Sequence, residues 1–233
     1  MNFLYEELDF RSTSIGDLML RRRRMPQFGE CDIYEVKLGE NFLMTSLFHE
    51  AESQLAKLGL GASAAKTLDV VVGGLGLGYT AVAALEDPRV TSLVVVDYLE
   101  GVIELHQTGL VPLGKTLMDD PRCRLVQADF FNSMRNAPIK AYDAILLDID
   151  HTPTHVLHQA NTYFYTEEGL SEMVQHLKPN GVFAMWADGA PEDFFTDRLA
   201  TVFARAEAHT IEFDNPITGG SSVGAVYVAR KHL

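Results

Sequence analysis

Two rhythms of apolar and polar positions divide the chain. From Leu68 onward, short continuous apolar runs (LDVVV, TSLVVVD, CRLVQAD, YDAILLD, GVFAMWAD) alternate with longer amphipathic stretches. The runs have strand length, and the stretches YTAVAALED, LEGVIELHQ, TEEGLSEMVQHLK and PEDFFTDRLATVFAR carry apolar residues at helical spacing. In the third, Leu170, Val174 and Leu177 share a face, Thr166 is suited to cap the start, and Lys178-Pro179-Asn180-Gly181 to stop the end. Pro191 suits the first turn of the helix after it. AHTIEF and SSVGAVYVAR close the chain as a hairpin pair. Continuous apolar strands alternating with amphipathic helices predict a parallel sheet covered on both faces.

The first 45 residues follow a different pattern. Three short strand-like runs, DLMLRRRR, CDIYEVKLG and NFLMTSL, are broken by Gly16, Gly29 and Gly39. They predict a small antiparallel sheet that cannot stand alone. A helix over SLFHEAESQLAKLGLG follows, with Leu47, Ala51, Leu55 and Leu58 at helical spacing and Gly59 or Gly61 as its end. The expected organisation is a β extension over 1–45 and an α/β domain over 46–233.

Composition narrows the partners. The 233 residues carry 19 Lys and Arg against 32 Asp and Glu, a net charge of −13. Such a surface repels nucleic-acid phosphates and draws in cationic small molecules. Arg21 to Arg24 are the local exception, expected to extend a strand and pair with acidic neighbours or a partner subunit. Cys31 and Cys123 make neither a disulfide framework nor a zinc motif. No apolar stretch reaches membrane-spanning length, and the acidic opening MNFLYEELDF is unlike a secretory signal. The expected location is the cytoplasm, with no nucleic-acid or membrane partner.

In a parallel α/β sheet ligands bind beyond the carboxyl ends of the strands, so strand-end residues are the ones to read for chemistry. The first strand runs into Gly73-Gly74-Leu75-Gly76-Leu77-Gly78, where glycines let the backbone approach a nucleotide and the next helix offers free amides. A purely structural turn is the alternative. Asp97, ending the second strand, suits ribose hydroxyls, or equally a cap for the following helix. Asp129 ends the third. Asp148 ends the fourth, followed by Asp150 and His151; two carboxylates and a histidine beyond a buried strand are costly to place without a use. Asp148 could also be a strand-end carboxylate that binds nearby amides. His151, His155 and His158 could suggest a metal with Asp148 or Asp150, but Pro153 interrupts the first two; an exposed loop over the pocket and no metal are expected. Trp186 and Tyr163-Phe164-Tyr165 could wall a cation pocket or pack the core.

From about Asn41 to Asp188 the chain resembles the spermidine synthase family and its methyltransferase-like relatives. The likeness rests on Phe48-His49-Glu50, the loop Gly73 to Gly78, Val94 to Asp97, Ala128-Asp129, Tyr142 to Asp148, Phe164 to Glu168 and Leu177 to Val182. It implies a Rossmann-like class I methyltransferase fold, with a mostly parallel seven-stranded sheet and a small N-terminal antiparallel β extension. It implies S-adenosylmethionine or its decarboxylated form as co-substrate, held by His49, Gly73, Gly74, Gly76, Gly78, Asp97, Tyr98, Asp129 and Phe130. Asp129 would meet the adenine amino group. The catalytic candidates are Asp148, Asp150 and His151, the acceptor a small cationic amine, and the assembly a homodimer. Two departures stand out. The family's loop carries an Asp for the donor amine where this chain has Gly76, and a second Asp for the acceptor where it has His151. Methyl transfer therefore stands beside aminopropyl transfer. Two further alternatives are a nicotinamide oxidoreductase, suggested by Gly76-Leu77-Gly78-Tyr79-Thr80-Ala81 with Asp97, and a noncatalytic homologue.

Overall fold

The structure is a computed structural model that describes residues 5–233. The first four residues of the expected extension, and of the acidic opening, lie outside the described residues. Strands β1 (Tyr5–Thr13), β2 (Gly16–Arg23), β3 (Ile33–Leu38) and β4 (Asn41–Thr45) form an antiparallel sheet in that order. Alternation puts Leu18, Leu20, Val36 and Leu38 on one buried face, where they join the core beneath the larger sheet. The small sheet has no core of its own, in keeping with its size. The arginine run ends β2 and is laced to acids: Arg21 and Arg23 to Glu35, Arg22 to Glu6 and Asp32, and Arg24 to Asp32. β1 was not among the expected strands. Its sequence YEELDFRST is mostly exposed, so it shows no apolar alternation.

Helix α1 (Glu50–Gly61) leads into β5 (Leu68–Gly73), α2 (Tyr79–Leu85), β6 (Val90–Asp97), α3 (Glu100–Gln107), α4 (Gly114–Asp119) and β7 (Cys123–Gln127). Then come α5 (Phe130–Arg135), β8 (Tyr142–Leu147), α6 (Glu167–Val174), β9 (Leu177–Asp188), α7 (Asp193–Val202), β10 (Arg205–Asn215) and β11 (Gly220–Arg230). The seven-stranded sheet has the order β10-β11-β9-β8-β5-β6-β7. Its five strands from β9 to β7 are parallel, and β11 and β10 add an antiparallel edge. Both faces are covered. Along β5, Leu68, Val70 and Val72 enter one core cluster and Val71 the other, which explains why these strands read as unbroken apolar runs.

The chain moves outward from β5 through β6 to β7, then returns to β8 on the other side of β5. Strand order reverses there, so a crevice opens beyond the ends of β5 and β8. At the opposite ends of the strands, the tripeptide Asp-Pro-Arg occurs twice. Arg89, held by Asp87, donates to the carbonyls of Leu60 and Ser63; Arg122, held by Asp120, donates to those of Leu85 and Val90. Each guanidinium thus reaches a carbonyl in the last turn of a helix, Leu60 of α1 or Leu85 of α2, and one on the chain that follows it.

Several sequence expectations move by a turn or so. α1 begins at Glu50, leaving Leu47 outside it, and of its two expected end points it runs to Gly61, with Gly59 inside it. A Cβ on Gly59 would sit 2.8 Å from both the Ala184 Cβ and the Leu146 Cδ2, so the glycine is where the helix presses on the sheet. α6 stops at Val174, before Lys178-Pro179-Asn180-Gly181, which instead bulges out of β9 with Asn180 at a φ of 60°. Pro191 precedes the N-cap Glu192 of α7 instead of lying in its first turn. No helix among the described residues is long and apolar enough to cross a membrane.

Candidate functional site

The crevice holds a cavity of about 270 Å³ lined from the ends of β5, β6, β7 and β8, from α1 and from the N-terminal sheet. The strands fix its polar groups. Gly74 and Gly76 lie on its floor, and Asp97, Asp129 and Asp148 enter from three successive strand ends. Tyr98, Phe130, His151 and Trp186 complete much of the wall.

The glycine loop is shaped by close approach. Gly74 takes a φ of 96° and Gly76 one of 48°, the left-handed region that a side chain resists. A Cβ on Gly74 would overlap the carbonyl oxygen of Asp148, so the two loops meet backbone to backbone. The Asp148 amide donates to the Gly73 carbonyl at 2.8 Å, and the Gly74 amide to the Val96 carbonyl at 2.9 Å. His106, buried behind the loop, places its Nε2 3.0 Å from the Gly76 carbonyl. Over Gly76 lies Met44 of β4. Its Sδ fills the space that a Cβ at position 76 would need and accepts the Leu77 amide at 2.8 Å.

The carboxylates differ in how they are held. Asp97 accepts the amides of Leu75 and Leu99, each at 2.9 Å; burial raises its pKa while those amides pull it back. Asp129 caps α5 by accepting the Asn132 amide at 2.9 Å. Asp148 accepts the Thr80 hydroxyl at 2.6 Å; burial pushes its carboxyl up to about 6, and the hydroxyl draws it down. Glu52, on the first turns of α1, lines the same cavity and is pushed up to about 8 by burial and by the Asp148 charge. No lysine or arginine is among the cavity's lining residues.

Four of the expected site residues lie off the cavity wall. Gly73 ends β5 just behind it, and Gly78 caps α2 with a φ of 95°. His49 precedes α1 and stacks on Tyr79, ring centroids 4.1 Å apart, with Nδ1 buried and unpaired. Asp150 is 1% exposed and accepts from the Leu157 amide, the Asn161 amide side chain and the Tyr165 hydroxyl, so it ties down the loop that follows β8. That loop returns His151 to the cavity, where its ring stacks on His155 at 4.9 Å; burial and His155 both lower the His151 pKa. Among the described residues no cluster of three or more histidine, cysteine or acidic side chains is arranged to hold a metal. Phe164 and Tyr165 pack in the core, and Tyr163 lies under Arg135.

No family model matches the chain. Over 154 residues, 64% of its length, it is 29% identical to polyamine aminopropyltransferase 2 of Streptomyces coelicolor. It is 31% identical over 124 residues, 52% of its length, to the polyamine aminopropyltransferase of Mycobacterium tuberculosis. These matches take in 26% and 23% of the relatives' own lengths, so the chain spans about a quarter of each. Among solved structures, a spermidine synthase in complex with the transition-state analogue AdoDATO superposes with a TM-score of 0.75 at 20% identity. That superposition covers 97% of this chain and 73% of the other. The spermidine synthase of Thermotoga maritima gives 0.72 at 18% identity, over 97% and 72%. The chain has the spermidine synthase fold.

Within that fold, sequence reading passed over Glu52, Thr80 and Met44. Glu52 left a signal: it shares a helical stripe with Ala56 and Gly59, both buried, and a carboxylate on a buried stripe calls for an explanation. Thr80 and Met44 left none, because their importance lies in what the fold brings beside them.

Proposed function

We propose that the protein transfers an aminopropyl group from decarboxylated S-adenosylmethionine to a small amine. The observation that carries this reading is the cavity's lining: four carboxyl groups and no lysine or arginine around a glycine loop of nucleotide-binding shape. A donor that is a sulfonium and an ammonium, with a cationic acceptor, fits a wall of that sign. The similarity to polyamine aminopropyltransferases points the same way.

The bound donor supplies a carbon already activated by positive sulfur. The chain's task is to align and to move a proton. The loop at Gly74 and Gly76 admits the nucleoside closely, with Asp97 turned to the ribose and Asp129 to the adenine. Asp148, at the strand-order reversal, faces the attacking nitrogen. With a pKa of about 6 it is mostly ionised near neutrality and accepts the proton that the amine sheds. The C–N bond forms as the C–S bond breaks, the electron pair stays on sulfur, and methylthioadenosine departs. The proton passes from Asp148 to solvent. His151 stands at the acceptor side of the cavity. The assembly we propose is a homodimer built on the N-terminal sheet, where Tyr5, Phe10 and Phe42 stand exposed.

One observation favours methyl transfer instead: Met44 fills the space beside Gly76, so no carboxylate can stand there for a donor amine. Calorimetric titration with S-adenosylmethionine and its decarboxylated form separates the two readings. Tighter binding of the decarboxylated donor supports aminopropyl transfer, and tighter binding of S-adenosylmethionine supports methyl transfer.

A further inference from the structure

The four carboxylates of the cavity are not equivalent. Asp97 is committed to two backbone amides, Asp129 to one, and Asp148 to the Thr80 hydroxyl. Glu52 accepts no hydrogen bond from another described residue, yet it is mostly removed from water and faces open space. A desolvated carboxylate without a partner is costly to the fold, and the cost is recovered when a ligand supplies the missing charge. No lysine or arginine lines the cavity beside it. Asp148 comes from the end of β8, Glu50 from its own helix, and Tyr79 from α2; His151 and His158 are on the same cavity wall.

Position matters as much as sign. The Glu52 carbonyl lies 3.3 Å from the Thr80 hydroxyl, and that hydroxyl reaches Asp148 at 2.6 Å, so Glu52 stands one residue away from the group assigned to the reacting nitrogen. The other wall of the glycine loop is closed by the Met44 thioether, which cannot neutralise a cation.

We infer that Glu52 is the counter-ion for a primary ammonium group of a substrate and so decides that the cavity takes amine-bearing ligands. This rests on the aminopropyl-transfer reading. The ammonium can belong to the donor's aminopropyl arm or to the acceptor. Since Glu52 must ionise to act, ligand entry releases a proton when the pH lies below about 8, in line with its raised pKa.

The test is calorimetric binding of decarboxylated S-adenosylmethionine, methylthioadenosine and 1,4-diaminobutane to the wild type and to Glu52→Gln, between pH 6 and 9. The expected result is a loss of roughly 10- to 100-fold in affinity for one of the amine-bearing ligands, the size of a lost charged hydrogen bond. Loss confined to the decarboxylated donor assigns Glu52 to the donor arm; loss confined to the diamine assigns it to the acceptor. Methylthioadenosine, which has no ammonium, should bind both proteins equally. Proton release by the wild type near pH 7–8 should fall in Glu52→Gln. Equal affinities of the two proteins for both amine-bearing ligands would overturn the inference and leave the transferase reading standing. So would equal weakening of methylthioadenosine, which would mark a structural role. Failure of the wild type to bind any of the three would overturn both.

Discussion

Removing one hydroxyl should move the pH profile of the proposed reaction without removing the group that accepts the proton. Thr80 is 3% exposed in the first turn of α2, and its Oγ1 lies 2.6 Å from Asp148 Oδ2 and 3.3 Å from the Glu52 carbonyl. A hydroxyl has one proton, and the shorter contact to a charged oxygen takes it. Such a bond favours the ionised carboxylate by about 1.5–3 kcal/mol. At 1.36 kcal/mol per pH unit, Thr80→Val should raise the Asp148 pKa by ~1–2 units. Asp148 is pushed up to about 6 in the wild type, so the variant should lose activity at neutral pH and regain most of it in alkali. The assay is methylthioadenosine release against pH, read as kcat/KM for wild type, Thr80→Val and Thr80→Ser. Because Glu52 and Asp148 interact, the limbs belong to the pair, and the shift between proteins is the quantity to compare. Serine keeps the hydroxyl and should keep the wild-type limb. An unmoved limb in Thr80→Val, or the same shift in Thr80→Ser, would refute the assignment of the Asp148 ionisation to this bond.

Asp148→Asn should lower kcat by ~10²–10⁴-fold while leaving the Kd for methylthioadenosine within a few-fold, as expected for loss of a proton acceptor; equal loss of both would give Asp148 a binding role. Gly59→Ala gains about 1 kcal/mol of helix propensity, but its Cβ would press on Ala184 and Leu146 at 2.8 Å, an overpacking cost of about 1–3 kcal/mol. Denaturant unfolding should therefore show net loss of stability. Glu52→Gln should stabilise the fold near neutrality. The Glu52 pKa is raised from an ordinary 4.5 to about 8, so its protonation favours the folded state fully below about 4.5, and that contribution is lost as pH rises towards 8. Melting curves should show the variant's advantage at pH 7–9 and none near pH 4; an advantage independent of pH would contradict the burial of Glu52.

Much of the architecture was legible because burial on both faces leaves a plain mark. β5, β6 and β8 are apolar runs with a carboxylate or glycine at the end, and that punctuation located the crevice. β1 was not legible, since an exposed edge strand need not alternate. Gly59 and Gly61 look alike as stops in sequence; the helix ends at Gly61, and Gly59 becomes a contact point once Ala184 and Leu146 are placed beside it. Asp148 and Asp150 are both catalytic candidates in sequence, with Asp148 foremost, and the structure puts Asp148 on the cavity wall and ties Asp150 to Asn161 and Tyr165. Distant pairings such as Met44 with Gly76, or Glu52 with Asp148, have no local pattern and arise only when β4 and α1 close over the crevice.

The most direct test of the account is turnover. The protein is incubated with decarboxylated S-adenosylmethionine and a small diamine, and the products are identified by mass spectrometry. Methylthioadenosine appearing in equal amount with an aminopropylated amine is the predicted result. A methylated acceptor formed from S-adenosylmethionine, with no product from the decarboxylated donor, would contradict it.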